Sequence, residues 1–235
     1  TTPNDLEKFK SLLGDGNSLG INLQYAVQNS PRGLADAFLI GENFLNGSPS
    51  ILILGDNLFY GKGLVNQLRD AYKRETSTIF AYPVSDPERY GIVDFDKNGQ
   101  VKSIEEKPLN PKTKYAITGL YFYDESVVKK AKEVTPSERG ELEISDLNKL
   151  YLEEGNLTVE VFNRGMAWLD TGTTDSLLDA SSFIKTIESR QGLKISCPEE
   201  IAWRNGWIND EELIKLSQPL KKSGYGTYLS NLVEE

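Results

Sequence analysis

The chain has 235 residues, with a hydrophobic content of 38% and a charged content of 26%, which are ordinary values for a soluble protein with one main domain. It contains no histidine. That absence excludes Ser-His-Asp and Cys-His nucleophile systems and zinc sites with histidine ligands. The formal net charge of −9 argues against nucleic acid or an anionic membrane surface as a partner.

The remaining catalytic chemistry is that of carboxylates, lysines and arginines. Phosphoryl and nucleotidyl transfer fit this set, because positioning and charge neutralisation supply most of their catalysis. No apolar stretch is long enough to span a bilayer, and the N-terminal residues lack a signal-peptide pattern. The single cysteine, Cys197, cannot form an internal disulfide, so we expect a buried thiol in a cytoplasmic protein.

Helices and strands alternate in the first part of the chain. Hydrophobic periodicity predicts a helix over 3–13, a strand over 23–27, a helix over 34–45, a strand over 51–54, a helix over 65–74 and a strand over 78–84. The four consecutive apolar residues at 51–54 are typical of a parallel strand buried on both faces. This order indicates a parallel sheet with right-handed crossovers.

The rest of the chain adds antiparallel signals and a helical end. Asn98-Gly99 predicts a hairpin between strands over 90–95 and 101–106. The later predicted elements are a strand over 117–123, helices over 124–134 and 142–152, a strand over 157–162, a helix over 177–187, and three helices after residue 192. Asn209 and Glu212 predict a capping box at the start of one of these last helices. We therefore expect an α/β, Rossmann-like fold with a mostly parallel or mixed sheet over 1–190, followed by a small helical extension over 191–235.

Two aspartates stand where predicted strands end. Asp56 follows the apolar run 51–54, and Asp170 ends the later apolar stretch 166–169. Open α/β sheets hold their ligands at the carboxyl ends of strands, and carboxylate oxygens suit Mg²⁺. Two such aspartates sharing a metal would indicate phosphate chemistry. Either one alone is more often an ordinary turn residue.

Seven short strings, in order along the chain, resemble the bacterial glucose-1-phosphate thymidylyltransferases of the sugar nucleotidyltransferase family. The strings are QNSPRGLA (28–35), LGDNLFYG (54–61), DPERYG (86–91), EEKP (105–108), YAITGLYFY (115–123), RGELEI (139–144) and WLDTGT (168–173). The resemblance implies the nucleotide-diphospho-sugar transferase type of fold. It also implies the reaction of dTTP with α-D-glucose 1-phosphate to give dTDP-glucose and pyrophosphate, with Mg²⁺ as cofactor.

The resemblance also assigns site residues. The metal ligands are Asp56 and Asp170; the nucleotide residues are Gln28, Gly33 and Asp56; the sugar residues are Asn57, Gly91, Glu106, Ile117 and Tyr121; the catalytic residues are Lys107, Arg139, Asp56 and Asp170. Within these groups, Gln28 and Gly33 would contact the base, and the sugar phosphate would be contacted by Asn57, Lys107 and Arg139. Several of these have ordinary alternatives. Gln28 could be a turn residue, the Glu105–Lys107 run a solvated charge cluster, one of the tyrosines at 121 and 123 plain core, and Arg139 a surface arginine.

Neighbouring residues on a strand point to opposite faces, so Glu106 and Lys107 can reach one ligand only if their strand bends. Pro108 makes an irregular strand end plausible at this point.

A second group resembles a regulatory nucleotide site at a subunit interface of this family. Its members are Tyr60, Gly61, Arg164, Glu200, Ile201 and Arg204. The alternative is interface packing without regulation. The resemblance further implies a cytoplasmic homotetramer that serves dTDP-rhamnose and deoxysugar synthesis.

One family feature is missing from the sequence. The family begins with a strand and a loop of the form Gly-Gly-x-Gly-Thr-Arg-Leu, followed by a catalytic lysine, and we find neither here. We therefore keep an alternative open, that of a truncated fragment that binds sugar nucleotide and oligomerises without catalysis. An NAD-dependent oxidoreductase or a metal-dependent glycosyltransferase fits less well, because the strand–GxGxxG–helix unit and the Asp-x-Asp motif are lacking.

Overall fold

The structure is a computed structural model that describes residues 1–234. The helices are α1 (Leu6–Leu13), α2 (Asp36–Ile40), α3 (Glu42–Leu45), α4 (Leu64–Tyr72), α5 (Val127–Glu133), α6 (Ile144–Glu153), α7 (Thr174–Gln191), α8 (Pro198–Arg204), α9 (Asp210–Ser217) and α10 (Gly224–Asn231). The strands are β1 (Ser50–Ile53), β2 (Asn57–Tyr60), β3 (Ser77–Pro83), β4 (Gly91–Phe95), β5 (Val101–Glu106), β6 (Tyr115–Tyr123), β7 (Leu157–Val161) and β8 (Ala167–Asp170).

The chain divides into two compact units. One is Ser30–Phe183, and the other combines Thr1–Asn29 with the chain from Ile184 onward. The strands of the described residues all belong to the first unit, which we call the sheet unit; we call the second the helical unit. The predicted boundary near residue 190 stays a prediction. In the structure the division falls within α7 and groups residues 1–29 with the C-terminal helices.

The sheet unit is built on a mixed sheet, in agreement with the predicted fold class. Its strand order is β5-β4-β6-β3-β7, and β1 pairs with β6 beside this path. The parallel pairing is that of β3 with β7, and the other pairings are antiparallel. Because side chains alternate along a strand, Ile79 and Phe80 of β3 point into different apolar clusters, one on each face.

The prediction for residues 51–54 was wrong in two respects. β1 runs antiparallel to β6, with Ser50 opposite Tyr123. Its burial alternates, since Ile51 and Ile53 are 49% and 60% exposed while Leu52 packs against the core. An unbroken apolar run is therefore buried on only one face here. The run itself specifies neither the direction of the partner strand nor what covers each face of the strand.

Two further predictions in the first part of the chain were also wrong. Residues 23–27 form no strand; the Leu23 N–H donates to the Asp15 carbonyl at 2.8 Å, so its hydrogen bond goes to a loop. The predicted helix over 34–45 is two short helices, α2 and α3, that meet at Gly41. Glycine is a weak helix former, and a break at this residue is consistent with that preference.

Local signals elsewhere were confirmed. Asn98-Gly99 joins β4 to β5 in an antiparallel hairpin, and Gly99 has the positive φ of 78° that its turn requires. At the start of α9, the Asn209 side chain accepts from the Glu212 N–H, and the Glu212 carboxylate accepts from the Asn209 N–H. This reciprocal capping box satisfies two backbone donors at once.

A two-stranded ladder that we did not predict lies in the sheet unit. β2 pairs antiparallel with β8, so that Asn57 lies opposite Asp170 and Phe59 opposite Trp168. The Thr171 N–H and hydroxyl both donate to the Asp56 carbonyl at 2.8 Å. These bonds bring the two strand-end aspartates together.

The helical unit has its own small core. Buried side chains of its C-terminal helices form one cluster, and Cys197 is a buried free thiol within it, as expected. The Tyr225 hydroxyl, only 3.0 Å from the Cys197 sulfur, also donates to the Glu199 carboxylate at 2.5 Å. Among the described residues, every helix is too short or too polar to cross a lipid bilayer.

A buried polar pair joins β6 to α6. The Tyr123 hydroxyl donates to Asn148 Oδ1 at 2.6 Å, and both residues are buried. Asn148 Nδ2 has no hydrogen-bond partner among the described residues. The Tyr123 ring packs edge-on against Phe38 and is stacked with Tyr151.

We expect Tyr123→Phe to destabilise the protein by about 1–3 kcal/mol, because the ring contacts remain while the Asn148 oxygen loses its donor. Adding Asn148→Leu should recover part of that loss, since the unpaired amide is then removed. Urea unfolding of the wild type and the two variants measures both effects. A double variant less stable than Tyr123→Phe alone would contradict this account of the pair.

Candidate active site

Eight of the predicted site residues, all in the sheet unit, line one cavity of about 210 Å³. Those that line it are Asp56, Asn57, Gly91, Glu106, Lys107, Ile117, Tyr121 and Asp170. A larger cavity of about 910 Å³ lies between β1, α4 and the loop after α3, but it contains none of the predicted site residues. The smaller, more polar cavity is therefore the candidate active site.

The carboxylates of Asp56 and Asp170 face the same point. A Cβ built on Gly172 would lie 3.0 Å from Asp170 Oδ1 and 3.5 Å from Asp56 Oδ2. Asp170 Oδ1 also accepts the Gly172 N–H at 2.8 Å. Residues far apart in the sequence thus each bring one carboxylate oxygen to within 3.5 Å of the place where a Cβ on residue 172 would lie.

This space fits a hard divalent cation in the chemistry of its donors. Carboxylate oxygens are the ligands that Mg²⁺ prefers, and Mg²⁺ is usually bound by one or two carboxylates together with substrate phosphates. Within residues 1–234, no group of three or more His, Cys, Asp and Glu side chains could hold a metal ion. The two aspartates would therefore form a partial site, completed by oxygens of a ligand.

The Asn57 amide is held in a defined orientation beside Asp56. Its Oδ1 accepts from Trp168 Nε1 at 2.6 Å and from the Gly119 N–H at 3.0 Å. Its Nδ2 donates to Asp56 Oδ1 at 2.8 Å. The role predicted for Asn57, donation to the sugar phosphate, stays a prediction, because one of its two amide hydrogens is already directed to Asp56.

Glu106 and Lys107 both line the cavity because the chain bends between them. β5 ends at Glu106, and Lys107 adopts a left-handed conformation with φ of 40°, which is uncommon for a residue with a side chain. The Lys107 N–H donates to the Tyr90 carbonyl at 3.1 Å. The bend that we expected is present, and backbone strain at this point is typical of functional sites.

The Glu106 carboxylate is oriented by a residue that sequence reasoning missed. Ser145, buried at the start of α6, donates its hydroxyl hydrogen to Glu106 Oε2. Gly91 lies opposite Glu106 in the β4–β5 hairpin, and a Cβ there would lie 2.9 Å from Ser145 Oγ. Gly91 thus leaves room for this hydrogen bond, in addition to any ligand.

Arg139 lies among acidic side chains rather than on the cavity wall. Its Nη2 donates to Glu143 Oε1 at 2.8 Å and is 3.8 Å from Glu141 Oε2 and 3.9 Å from Glu106 Oε1. The hydrogen bond with Glu143 is the main cause of the raised pKa of Arg139. Arg139 therefore adjoins the site through Glu106, and its predicted contact with a sugar phosphate stays a prediction.

Arg89 is a second cation that sequence reasoning missed, although its motif had been noticed. Its Nη1 donates to Asp86 Oδ2 at 2.8 Å, and its Nη2 is 3.9 Å from Asp170 Oδ2. Its pKa is raised, chiefly by the hydrogen bond with Asp86. The guanidinium also lies 5.4 Å from the centre of the Tyr90 ring, whose own pKa is raised by burial. Arg89 thus places positive charge beside the Asp170 carboxylate.

The two tyrosines of β6 have different surroundings. Tyr121 lines the cavity and is 3% exposed, and its burial raises the pKa of its hydroxyl. Tyr123 stacks on it at 6.0 Å but directs its hydroxyl to Asn148 in the core. Of the pair, Tyr123 is therefore the plain core residue.

The two residues predicted to contact the base lie in different units. Gln28 belongs to the helical unit, where its N–H donates to the Thr1 carbonyl at 2.9 Å. Gly33 belongs to the sheet unit and has a φ of 93°. A Cβ on Gly33 would lie 2.6 Å from Leu142 N, so the close approach of two backbone segments already requires glycine here. Both nucleotide roles stay predictions.

The predicted regulatory residues also fall into two groups, one in each unit. In the sheet unit, Gly61 directly follows β2 and lies so close to Met166 that a Cβ on it would overlap with that residue. Arg164 forms an isolated β-bridge with Met166. The Tyr60 ring packs against Phe183 at 5.7 Å. In the helical unit, Glu200, Ile201 and Arg204 lie on α8, where Arg204 Nε donates to Glu200 Oε1 at 2.7 Å. Regulation at these residues stays a prediction.

Comparison with known proteins identifies the family. The family model described as nucleotidyl transferase matches residues 1–187. A glucose-1-phosphate thymidylyltransferase of Neisseria meningitidis is 52% identical over 100% of this chain and 82% of its own length, and one of Mycobacterium tuberculosis is 53% identical over 100% and 81%. The chain belongs to the glucose-1-phosphate thymidylyltransferases.

Solved structures agree with this assignment. A Bacillus anthracis structure assigned to the glucose-1-phosphate thymidylyltransferases, in complex with sucrose, is 36% identical with a TM-score of 0.70, covering 78% of this chain and 73% of that one. A UDP-glucose pyrophosphorylase complexed with UDP-glucose has a TM-score of 0.64 at 22% identity, covering 79% and 74%. The second comparison supports the fold alone.

The space at Gly172 offers a direct test of the cation site. The φ of Gly172 lies outside the left-handed region, so Gly172→Ala adds a methyl group next to both carboxylates without requiring a strained φ. Asp170 Oδ1, 3.0 Å from the new Cβ, would have to move by a few tenths of an ångström. We expect Mn²⁺ affinity, measured by electron paramagnetic resonance of the free ion, to fall at least about tenfold. Far-ultraviolet circular dichroism checks that the fold persists.

Gly224→Ala is the matched control, because the position on α10 has open space around it. It should leave Mn²⁺ binding unchanged. Equal Mn²⁺ affinity in Gly172→Ala and the wild type would show that no cation lies between Asp56 and Asp170.

Proposed function

We propose that the protein catalyses the reaction of dTTP with α-D-glucose 1-phosphate to give dTDP-glucose and pyrophosphate, and that Mg²⁺ is its cofactor. The observation that carries the proposal is the convergence of the Asp56 and Asp170 carboxylates on one point at the edge of a polar cavity. Family membership over the whole chain supports the same reaction.

The chemical step is an in-line displacement at phosphorus. A phosphate oxygen of glucose 1-phosphate forms a bond to the α-phosphorus of dTTP, and the bond from that phosphorus to the bridging oxygen of the β-phosphate breaks. Pyrophosphate leaves with the electron pair of the broken bond. The attacking oxygen is already ionised at neutral pH, so the reaction needs no general base, which agrees with a sequence without histidine.

Asp56 and Asp170 would hold the magnesium ion. When bound there, Mg²⁺ supplies positive charge that neutralises the phosphate oxygens around the reacting phosphorus. Lys107, raised into the cavity by the bend after β5, would offset the charge of the sugar phosphate, with Arg139 behind it. Catalysis here consists mainly of holding dTTP and glucose 1-phosphate in line, and fixed positive charges reduce the repulsion between these two anions.

The sugar would lie against the strand residues that line the cavity. Glu106, oriented by Ser145, offers carboxylate oxygen to sugar hydroxyls. Gly91 and Ile117 leave room and an apolar surface beside it, and Tyr121 supplies an aromatic wall. Base recognition by Gln28 and Gly33 belongs to the same proposal.

The wider assignment rests on the family resemblance. It comprises a cytoplasmic homotetramer, supply of dTDP-glucose to dTDP-rhamnose and deoxysugar synthesis, and regulation through Tyr60, Gly61, Arg164, Glu200, Ile201 and Arg204. The net charge of −9 supports the absence of nucleic acid and anionic membranes among the partners.

The alternative of a non-catalytic binding protein makes a different prediction in the same assay. A binding protein would retain dTDP-glucose but release no pyrophosphate from dTTP and glucose 1-phosphate.

Asp170→Asn tests the catalytic proposal. We expect pyrophosphate release to fall at least about 100-fold, since a metal contributes several kcal/mol of charge stabilisation and each 1.4 kcal/mol is about tenfold in rate. The fold should persist, because an amide oxygen can still accept the Gly172 N–H.

The matched control is Asp179→Asn, which removes one negative charge from an exposed position on α7. It should retain wild-type turnover. Undiminished pyrophosphate release in Asp170→Asn, with a normal far-ultraviolet spectrum, would remove Asp170 from the metal site.

A further inference from the structure

The Asn57 side chain has one orientation that satisfies its neighbours. Two donors, Trp168 Nε1 and the Gly119 N–H, both point at Oδ1, at 2.6 and 3.0 Å. A flipped amide would direct its NH₂ at these donors and its oxygen at the Asp56 carboxylate. It would lose three hydrogen bonds and add a repulsion, so the observed orientation is strongly preferred.

Gly119 and Trp168 closely surround the Asn57 amide. A Cβ on Gly119 would lie 2.7 Å from Asn57 Cγ and from its Oδ1, so any larger residue would displace the side chain. Trp168 is 9% exposed, with its indole between the rings of Tyr82 and Tyr90 at 5.9 and 5.1 Å. The indole N–H is thereby fixed in direction, and it is directed at Asn57.

The ladder connects this arrangement to both aspartates. Asn57 lies opposite Asp170 in the β2–β8 pairing, and Trp168 precedes Asp170 by two residues, on the same face of β8. The Asn57 amide donates to Asp56 Oδ1 at 2.8 Å, while Asp56 Oδ2 faces the space beside Gly172. One oxygen of Asp56 is therefore anchored and the other is left for a ligand.

We propose that Trp168 and Gly119 are positioning residues for the Asp56 carboxylate, acting through Asn57. They hold the amide in the orientation that donates to Asp56, and the amide in turn aims the carboxylate at the cation. This inference rests on the proposed function, because it requires a cation between Asp56 and Asp170. It assigns Asn57 to support of a metal ligand, a role that we did not expect from the sequence.

A purely structural role for Trp168 predicts a different result. If the indole only fills space, its ring contacts with Tyr82 and Tyr90 matter and its N–H does not. Trp168→Phe keeps an aromatic ring at this position and removes the N–H donor. The control is Tyr82→Phe, which removes a hydroxyl that donates to the Met166 carbonyl at 3.1 Å but keeps its ring against Trp168.

The experiment measures Mn²⁺ binding to the full chain by electron paramagnetic resonance, with the metal alone. We expect the dissociation constant to rise about tenfold or more in Trp168→Phe, the usual effect of removing a group that orients a metal ligand. Tyr82→Phe should bind as the wild type does. In turnover assays, the half-saturating Mg²⁺ concentration of Trp168→Phe should rise while the KM for glucose 1-phosphate stays within about twofold.

A double-mutant cycle tests whether Trp168 acts through Asn57. Asn57→Ala should itself weaken Mn²⁺ binding about tenfold, and adding Trp168→Phe to it should weaken binding no further. Equal losses from Trp168→Phe with and without Asn57 would overturn the inference, as would unchanged Mn²⁺ affinity in Trp168→Phe.

Two controls keep the outcomes separate. If Asp170→Asn binds Mn²⁺ as tightly as the wild type does, the proposed function itself is contradicted. If Trp168→Phe binds Mn²⁺ as tightly as the wild type does, only the positioning role is contradicted. If Trp168→Phe does not fold, Asn57→Ala tests the inference by itself. Unchanged Mn²⁺ affinity in Asn57→Ala would show that Asn57 does not orient Asp56, and the inference would fail.

Discussion

The site depends on the pairing of β2 with β8, which holds two like charges close together. Asp56 and Asp170 face one point, and their repulsion opposes the fold unless something offsets it. Two hydrogen bonds of 2.8 Å offset part of this repulsion, one from Asn57 Nδ2 to Asp56 and one from the Gly172 N–H to Asp170. The Arg89 guanidinium, 3.9 Å from Asp170, adds positive charge. The ladder thus holds the two carboxylates together at the place where we propose the magnesium ion.

The same balance explains how an acidic protein can accept two anionic substrates. Each positive side chain at the site has an acidic partner within 4.0 Å, in the pairs Arg89–Asp86, Lys107–Glu106 and Arg139–Glu143. These pairs are near neutral overall, so they organise the site more than they attract phosphate. The magnesium ion that we propose at Asp56 and Asp170 would add positive charge to that of Lys107 and Arg139, against a net charge of −9. Substrate phosphates and metal are therefore expected to bind together, each reducing the cost of the other.

Sequence reasoning was accurate where the signal was local. The Asn98-Gly99 hairpin and the Asn209 capping box each depend on residues close in the chain, and both are present. The direction of β1 was wrong because an apolar run does not specify its partner. In the site, motifs indicated the aspartates, but Ser145 and Trp168 were missed. Their roles come from hydrogen bonds across strands and helices that are distant in sequence, and no spacing rule reports them.

The glycines of the site are required for two different physical reasons, backbone conformation and space, which the sequence motifs do not distinguish. Glycine in a motif is usually explained by an unusual backbone conformation, and Gly33, with its φ of 93°, has one. Gly119 and Gly172 lie outside the left-handed region, so their backbones would accept alanine. What they provide is space, for the Asn57 amide in one case and for an ion between carboxylates in the other. A side chain at Gly172 would press on the carboxylate that its own N–H binds, so this glycine is tied to the position of Asp170.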